Sequence, residues 1–173
     1  MMNKSQEFET IYQTHIKALY GYFALCFSRD QAADCAQQLF EKLWRYMNRA
    51  DYHPPENWKA WLFAVAVNEK NDLLRTTKRR LQTVSWSGEE GEADREPTAP
   101  MPDMVENEAV RQAFKALSQE ERELLLLRAN GFTGEEISAL IGLNASTLRG
   151  RMATAKKRFA ETLQENGVNI VKE

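Results

Sequence analysis

The chain is 173 residues long and 43% apolar, with a formal net charge of −2; it fits one domain or two small ones and lacks the overall basicity of a histone-like nucleic-acid binder. No apolar run is long enough to span a membrane and the first residues are polar, so a cytoplasmic protein with no membrane insertion and no signal peptide is expected. Cys26 and Cys35, nine apart with no Cys or His at metal-ligand spacing, speak against a zinc site or a disulfide framework and for buried thiols in a reducing compartment.

Apolar residues recur at helical steps along nearly the whole chain. Residues 5–27 place Phe8, Ile11, Tyr12, Ile16, Leu19, Tyr20 and Phe23 on one helical face. Asp30 can cap a second helix running to about Asn48, with Leu39, Phe40, Leu43, Trp44 and Met47 on its apolar face. The opposite face carries Asp34, Gln38, Glu41 and Arg45, with Gln37 at its border: a solvated face, or a surface that docks a protein partner. Asp51 to Pro55 is a loop. A long helix from Glu56 to about Arg80 follows, with Trp58, Trp61, Leu62 and Val65 on one apolar side and Phe63, Val67 and Leu74 on another. Between them, Ala64, Asn68, Asn71 and Arg75 form a stripe. Amides and a guanidinium suit base edges, and neighbouring aromatics suit unstacked bases, although Trp58 and Trp61 also fit a core.

Residues 81–105 interrupt the pattern. They hold three prolines, two glycines and six acids against one arginine, whereas 1–80 carry 12 Lys/Arg against 9 Asp/Glu and 106–173 balance at 10 against 10. Such a segment reads as a flexible acidic linker between domains at 1–80 and 106–173. Beyond it, Val105–Leu117 is one helix, and Ser118 with Glu121 forms a capping box for another, which Gly131 stops near Asn130. No strand is expected. The fold class is all-α, in two small helical bundles.

The stretch from Thr133 to Arg158 reads as a helix-turn-helix, whose second helix lies in a DNA major groove. Thr133 with Glu136 caps the first helix, and Asn144 or Ser146 starts the second. On the second helix Leu148, Met152, Ala155 and Phe159 share the apolar face. Opposite lie Gly150, Ala153, Thr154 and Lys157, flanked by two rows of cations, Arg149 with Lys156 and Arg151 with Arg158. Small residues between cationic rows allow close approach to DNA while the cations take phosphates or guanine edges. A mid-helix glycine costs about 0.8–1 kcal/mol against alanine, which counts against a plain solvated helix. His15 and His53 stand apart from any nucleophile or paired carboxylate in the sequence, so no enzyme and no cofactor is expected.

Taken together, these residues resemble the extracytoplasmic-function (ECF, group 4) sigma factors of the sigma-70 family of bacterial RNA polymerase. Ala33–Trp44 is similar to the family's Ala-x-Asp-x-x-Gln-x-x-Phe-x-x-x-Trp segment of region 2. Trp61–Asn68, with Asp72 and Arg75, is similar to its Trp-Leu…Ala-x-Asn-x-x-x-Asp-x-x-Arg run. Leu117–Arg128, followed by Gly131-Phe132-Thr133 and Glu136-Ile137, is similar to the opening of region 4. The resemblance implies that Asp34, Gln37, Gln38, Phe40, Glu41 and Trp44 dock on the clamp helices of the polymerase β′ subunit. It implies that Trp61, Asn68, Asn71 and Arg75 read and melt the −10 element, and that Ser146, Thr147, Arg149, Arg151 and Lys156 read the −35 element. The implied partners are core RNA polymerase (β′ clamp helices and β flap), promoter DNA and an anti-sigma factor. The chain departs from the family's pattern at Ala64, where a basic residue is common, and at Ser146, Gly150 and Thr154, which stand for Gly, Ser and Arg. A stand-alone dimeric helix-turn-helix regulator is the alternative; it leaves the Asp34–Trp44 surface without a purpose.

Overall fold

The structure, a computed structural model, describes residues 3–84 and 107–168, with the backbone alone for 81–84. All regular structure among the described residues is α-helical, and the contacts divide into two units, one within residues 1–99 and one within 100–173.

In the first unit, α1 (Lys4–Ala24) begins with a capping box in which Asn3 accepts from the third helical residue and Gln6 reaches back. Helix α2 (Arg29–Met47) is capped by Ser28 with Gln31, not by Asp30. The hydroxyl of Ser28 satisfies the backbone N–H of Gln31, and Asp30 lies in the first turn, where its charge favours the positive end of the helix dipole. Helix α3 spans Trp58–Val84, with Asn57 accepting from the N–H of Ala60 at 3.1 Å. It therefore enters the expected 81–105 linker by four residues; residues 85–105 lie outside the described ones.

Small buried side chains on α2 (Ala32, Cys35, Ala36) suit its close packing on α1, and large ones fill the rest of the core. Leu19, Tyr22, Phe23, Leu39, Leu43, Met47, Leu62 and Phe63 are all fully buried. Phe63 meets Tyr22 edge-on at 5.8 Å. Burial, then the charges of Glu69 and Asp34, push the Cys35 thiol up to about 11, so it is a neutral core group.

The second unit contains α4 (Glu108–Lys115), α5 (Gln119–Ala129), α6 (Gly134–Ile141) and α7 (Ala145–Glu165). Both capping boxes expected here are present, Ser118 with Glu121 and Thr133 with Glu136. Helix α4 is shorter than the expected Val105–Leu117, because the Asn107 side chain caps it by accepting from Ala109. Gly131 and Gly142 both take positive φ, 88° and 71°, which ends α5 and α6. Three residues separate α6 from α7, and Asn144 caps the second helix. Helix α7 packs against α4, α5 and α6 alike. Its buried Leu148, Ala155 and Leu163 join Phe114, Leu124, Leu127, Phe132 and Ile137 in the core.

Candidate nucleic-acid and polymerase interface

The first unit carries two surfaces. On α2, Asp34, Gln37, Gln38 and Glu41 are exposed, and Trp44 is 40% exposed. Gln37 donates to Glu41 at 3.2 Å, and Arg45 lies 3.6 Å from the same carboxylate, so this face holds an ordered polar row. Phe40, on the apolar face as the helical period places it, is 3% exposed and lies beneath this row. Its ring meets Tyr12 at 4.7 Å and Phe8 at 6.3 Å, both edge-on. Phe8 also meets Trp44 at 5.3 Å. The result is a groove of about 850 Å³ between α1 and α2, floored by aromatic rings and edged by Lys17, Gln37, Glu41 and Arg45. Sequence reasoning missed the share of α1, because Phe8, Tyr12 and Ile16 lie on a helical face that reads as core.

The α3 stripe lies elsewhere on the same unit. Asn68, Asn71 and Arg75 are exposed and Ala64 is half-buried. Arg75 lies 3.7 Å from Asp72, one helical turn away, an exposed pair that contributes little. Beside Asn68, Glu69 pairs with Lys42 of α2 and fixes the stripe to the bundle. Trp61 is half-buried and stacks on Tyr46 at 5.0 Å, with Trp58 edge-on at 5.8 Å. The phenol of Tyr46 donates to the carbonyl of His53 at 2.7 Å, and its ring meets Tyr52 at 5.6 Å. Trp61 thus belongs to an aromatic cluster that holds the loop between α2 and α3. In that loop Arg49 clasps Asp51 through two hydrogen bonds, 2.9 and 2.8 Å, which keep this carboxyl below its ordinary pKa.

On α7 the two cationic rows differ. Arg151 is ion-paired with Glu120, and Arg158 with Glu121 at 3.1 Å, both acids being in the first turn of α5. Among the described residues no carboxylate stands within ion-pair distance of Arg149 or Lys156. That second row borders a groove of about 490 Å³ which Arg128, Glu135 and Met152 also line. Between the rows, Ser146, Gly150, Ala153, Thr154 and Lys157 are exposed, and Thr147 is half-buried with its N–H on Asn144. A Cβ added at Gly150 would meet nothing within 4 Å, so packing inside the chain gives no reason for the glycine. The ion pairs were not legible in sequence, since their partners lie 31 and 37 residues apart.

Residues 11–80 match the sigma-70 region 2 family model and residues 107–159 the sigma-70 region 4 model. The ECF RNA polymerase sigma factor EcfG of Rhodopseudomonas palustris is 30% identical over 141 residues, covering 80% of this chain and 74% of that one. The chain belongs to the ECF sigma factors. The sigma factor CarQ of Myxococcus xanthus is 26% identical over 170 residues, covering 95% of this chain and 94% of its own. Among solved structures, the sigma factor RpoE of Bartonella quintana, crystallised with the anti-sigma factor NepR, is similar with a TM-score of 0.67 and 26% identity. That match covers 91% of this chain and 97% of that one. CnrH, solved with the cytosolic domain of CnrY, shares the fold at 20% identity and a TM-score of 0.54, over 91% and 88% of the two chains. This ECF sigma factor is accordingly a DNA-binding factor for promoter-specific transcription initiation. Among the described residues no cluster of His, Cys, Asp or Glu could hold a metal ion, and no helix is long and apolar enough to cross a membrane.

Proposed function

We propose that the sigma factor divides promoter recognition between α3 and α7 and binds core polymerase through the α1–α2 groove. The observation that carries this reading is the presence, in each unit, of an exposed helical strip of amides or cations resting on a buried apolar face. Asn68, Asn71 and Arg75, with Trp61 behind them, are assigned to the −10 element. A base leaving the duplex loses a few kcal/mol of stacking, which a protein pocket beside the stripe offsets. Ser146, Thr147, Arg149 and Lys156 are assigned to the −35 element, where guanidinium and ammonium groups suit guanine edges and phosphates. Arg151, the fifth residue expected there, is already engaged by Glu120.

Asp34, Gln37, Gln38, Glu41 and Trp44 are assigned to the β′ clamp helices, with Phe40 supporting them from below. The aromatic floor and polar rim of the groove suit a partner helix, which buries apolar side chains and pairs its edges. The second unit is assigned to the β flap and the −35 DNA together, and an anti-sigma factor is the expected regulator. The chain needs no cofactor and performs no chemistry of its own, since phosphodiester synthesis belongs to the polymerase.

In-vitro transcription with purified core polymerase on a genomic promoter library tests the reading. Promoter-specific transcripts are expected, and their absence together with failure to bind core would sink it. Arg149→Ala is expected to lose about 1–3 kcal/mol on its preferred −35 sequence if the guanidinium holds a guanine through two bonds. An equal loss on every sequence would make it a phosphate contact.

A further inference from the structure

The two cationic edges of α7 have opposite electrostatic surroundings. Arg151 and Arg158 are seven residues apart, so they lie on one edge about 10.5 Å from each other along the axis. Both reach the first turn of α5, at the consecutive residues Glu120 and Glu121. Carboxylates there are favoured by the positive end of the α5 dipole. Glu121 is also fixed from its own side: it accepts from the N–H of Ser118 at 2.9 Å, and its side chain is 12% exposed. Burial opposes its ionisation, but the Ser118 N–H and the charge of Arg158 prevail and hold its pKa below the ordinary carboxylate value. It cannot leave Arg158 without giving up the cap of α5 or standing buried without its ion pair.

We infer that the Arg151–Arg158 edge is a positioning edge, which Glu120 and Glu121 hold so as to fix the rotation of α7, and that of the two edges only Arg149–Lys156 carries charge to DNA. This inference rests on the reading that α7 lies against the −35 element. A phosphate approaching the first edge meets two carboxylates within a Debye length, which cancel the attraction of the two guanidiniums. On the other edge, Arg149 and Lys156 share their groove with Arg128 against one acid, Glu135. The Arg151–Glu120 pair is half-exposed on both sides and weak alone; the buried Glu121 makes the edge a fixture.

Holoenzyme assembled from core polymerase and the full chain should be titrated onto a promoter duplex at several potassium chloride concentrations. Arg149→Met and Lys156→Met should each flatten the plot of log affinity against log salt by about one unit, the loss of one phosphate contact. Arg151→Met and Arg158→Met should leave that slope unchanged while narrowing the preference for the native −35 over a scrambled one. Glu121→Gln, whose amide oxygen can still accept from Ser118 but carries no charge toward Arg158, should narrow the preference as Arg158→Met does, and the double variant should narrow it no further. The inference is overturned if Arg151→Met or Arg158→Met flattens the slope, or if the double variant loses the preference additively. Unchanged slope and preference in both Arg149→Met and Lys156→Met would instead overturn the placement of α7 on DNA.

Discussion

The two units solve the same problem, a small helical core, by different means. In the first, rings do the joining: Tyr22, Phe63, Phe8, Phe40, Tyr46 and Trp61 meet one another across all three helices. In the second, apolar residues fill the core, but the helix ends are tied by charge. Arg122 donates to the carbonyls of Phe114, Leu117 and Lys115 at 3.0, 2.9 and 2.8 Å, closing the α4–α5 turn, while its two preceding neighbours hold α7. A unit joined mainly by rings is fixed chiefly by volume, with the Lys42–Glu69 pair as a charged tie between α2 and α3. A unit held by carboxylates and guanidiniums is fixed by ionisation, and its joints respond to conditions.

The sharpest way to break this contrast is to remove volume from one unit and charge from the other. Phe63→Ala should cost the first unit about 3–5 kcal/mol, the range for a fully buried ring. Trp44, Trp58 and Trp61, three of the four tryptophans of the chain, lie in that unit and none lies in 107–168, so tryptophan fluorescence in urea should show its transition move to much lower denaturant. Arg122→Ala should cost the second unit about 1–3 kcal/mol by leaving three carbonyls without their shared donor. Hydrogen-exchange mass spectrometry should find the loss in peptides of 107–168 and none in 3–84; protection lost equally in both would refute the separation.

Gly150→Ala sharpens the contrast between packing and function. Alanine meets no neighbour there, so α7 should gain about 0.8–1 kcal/mol, read as a higher denaturation midpoint. If DNA approaches the backbone at this point, −35 preference should fall in the same variant. Stability and recognition moving together would remove the close-approach explanation.

The smallest effect is on pH. Burial, then the charge of Lys59, keep the pKa of His15 below its ordinary 6.5, so the unfolded chain takes up the proton first. The first unit should lose stability as pH falls from neutrality through 6.5 and stop losing it below the lowered value. Glu121 has the depressed pKa of a carboxylate, so its contribution is present above its ordinary 4.5 and is lost as pH falls through the lower folded value. Denaturant midpoints across pH should therefore fall first for the unit of His15; the reverse order would contradict both assignments.

What was legible in the sequence follows the same division. Apolar periodicity reveals α1, α2, α3 and α7, and the local chemistry of Ser118, Thr133, Gly131 and Asn144 places the ends of α5, α6 and α7 to within a residue or two. Both signals act over three or four positions. The Ser28 cap was hidden by the more acidic Asp30 beside it, and the helical period that puts Phe40 on the apolar face does not show how deeply it lies beneath Gln37 and Glu41. The pairing of Arg151 and Arg158 with the start of α5 depends on how four helices fold back on one another, so a helical wheel shows two equal rows where the protein has one engaged and one open. The same limit hid the part of α1 in the groove, since a helical face shows which side is apolar and not how far its partner covers it.

The arc of α7 between its two charged edges has a further consequence. Ser146, Gly150, Ala153, Thr154 and Lys157 are exposed, and the helix is held by residues on its other sides. Substitution along this arc therefore touches folding through helix propensity and not through packing. Under the proposed placement of α7 on the −35 element, a lineage can drift through many spellings of these five positions, shifting its promoter preference while the scaffold that presents them stays the same.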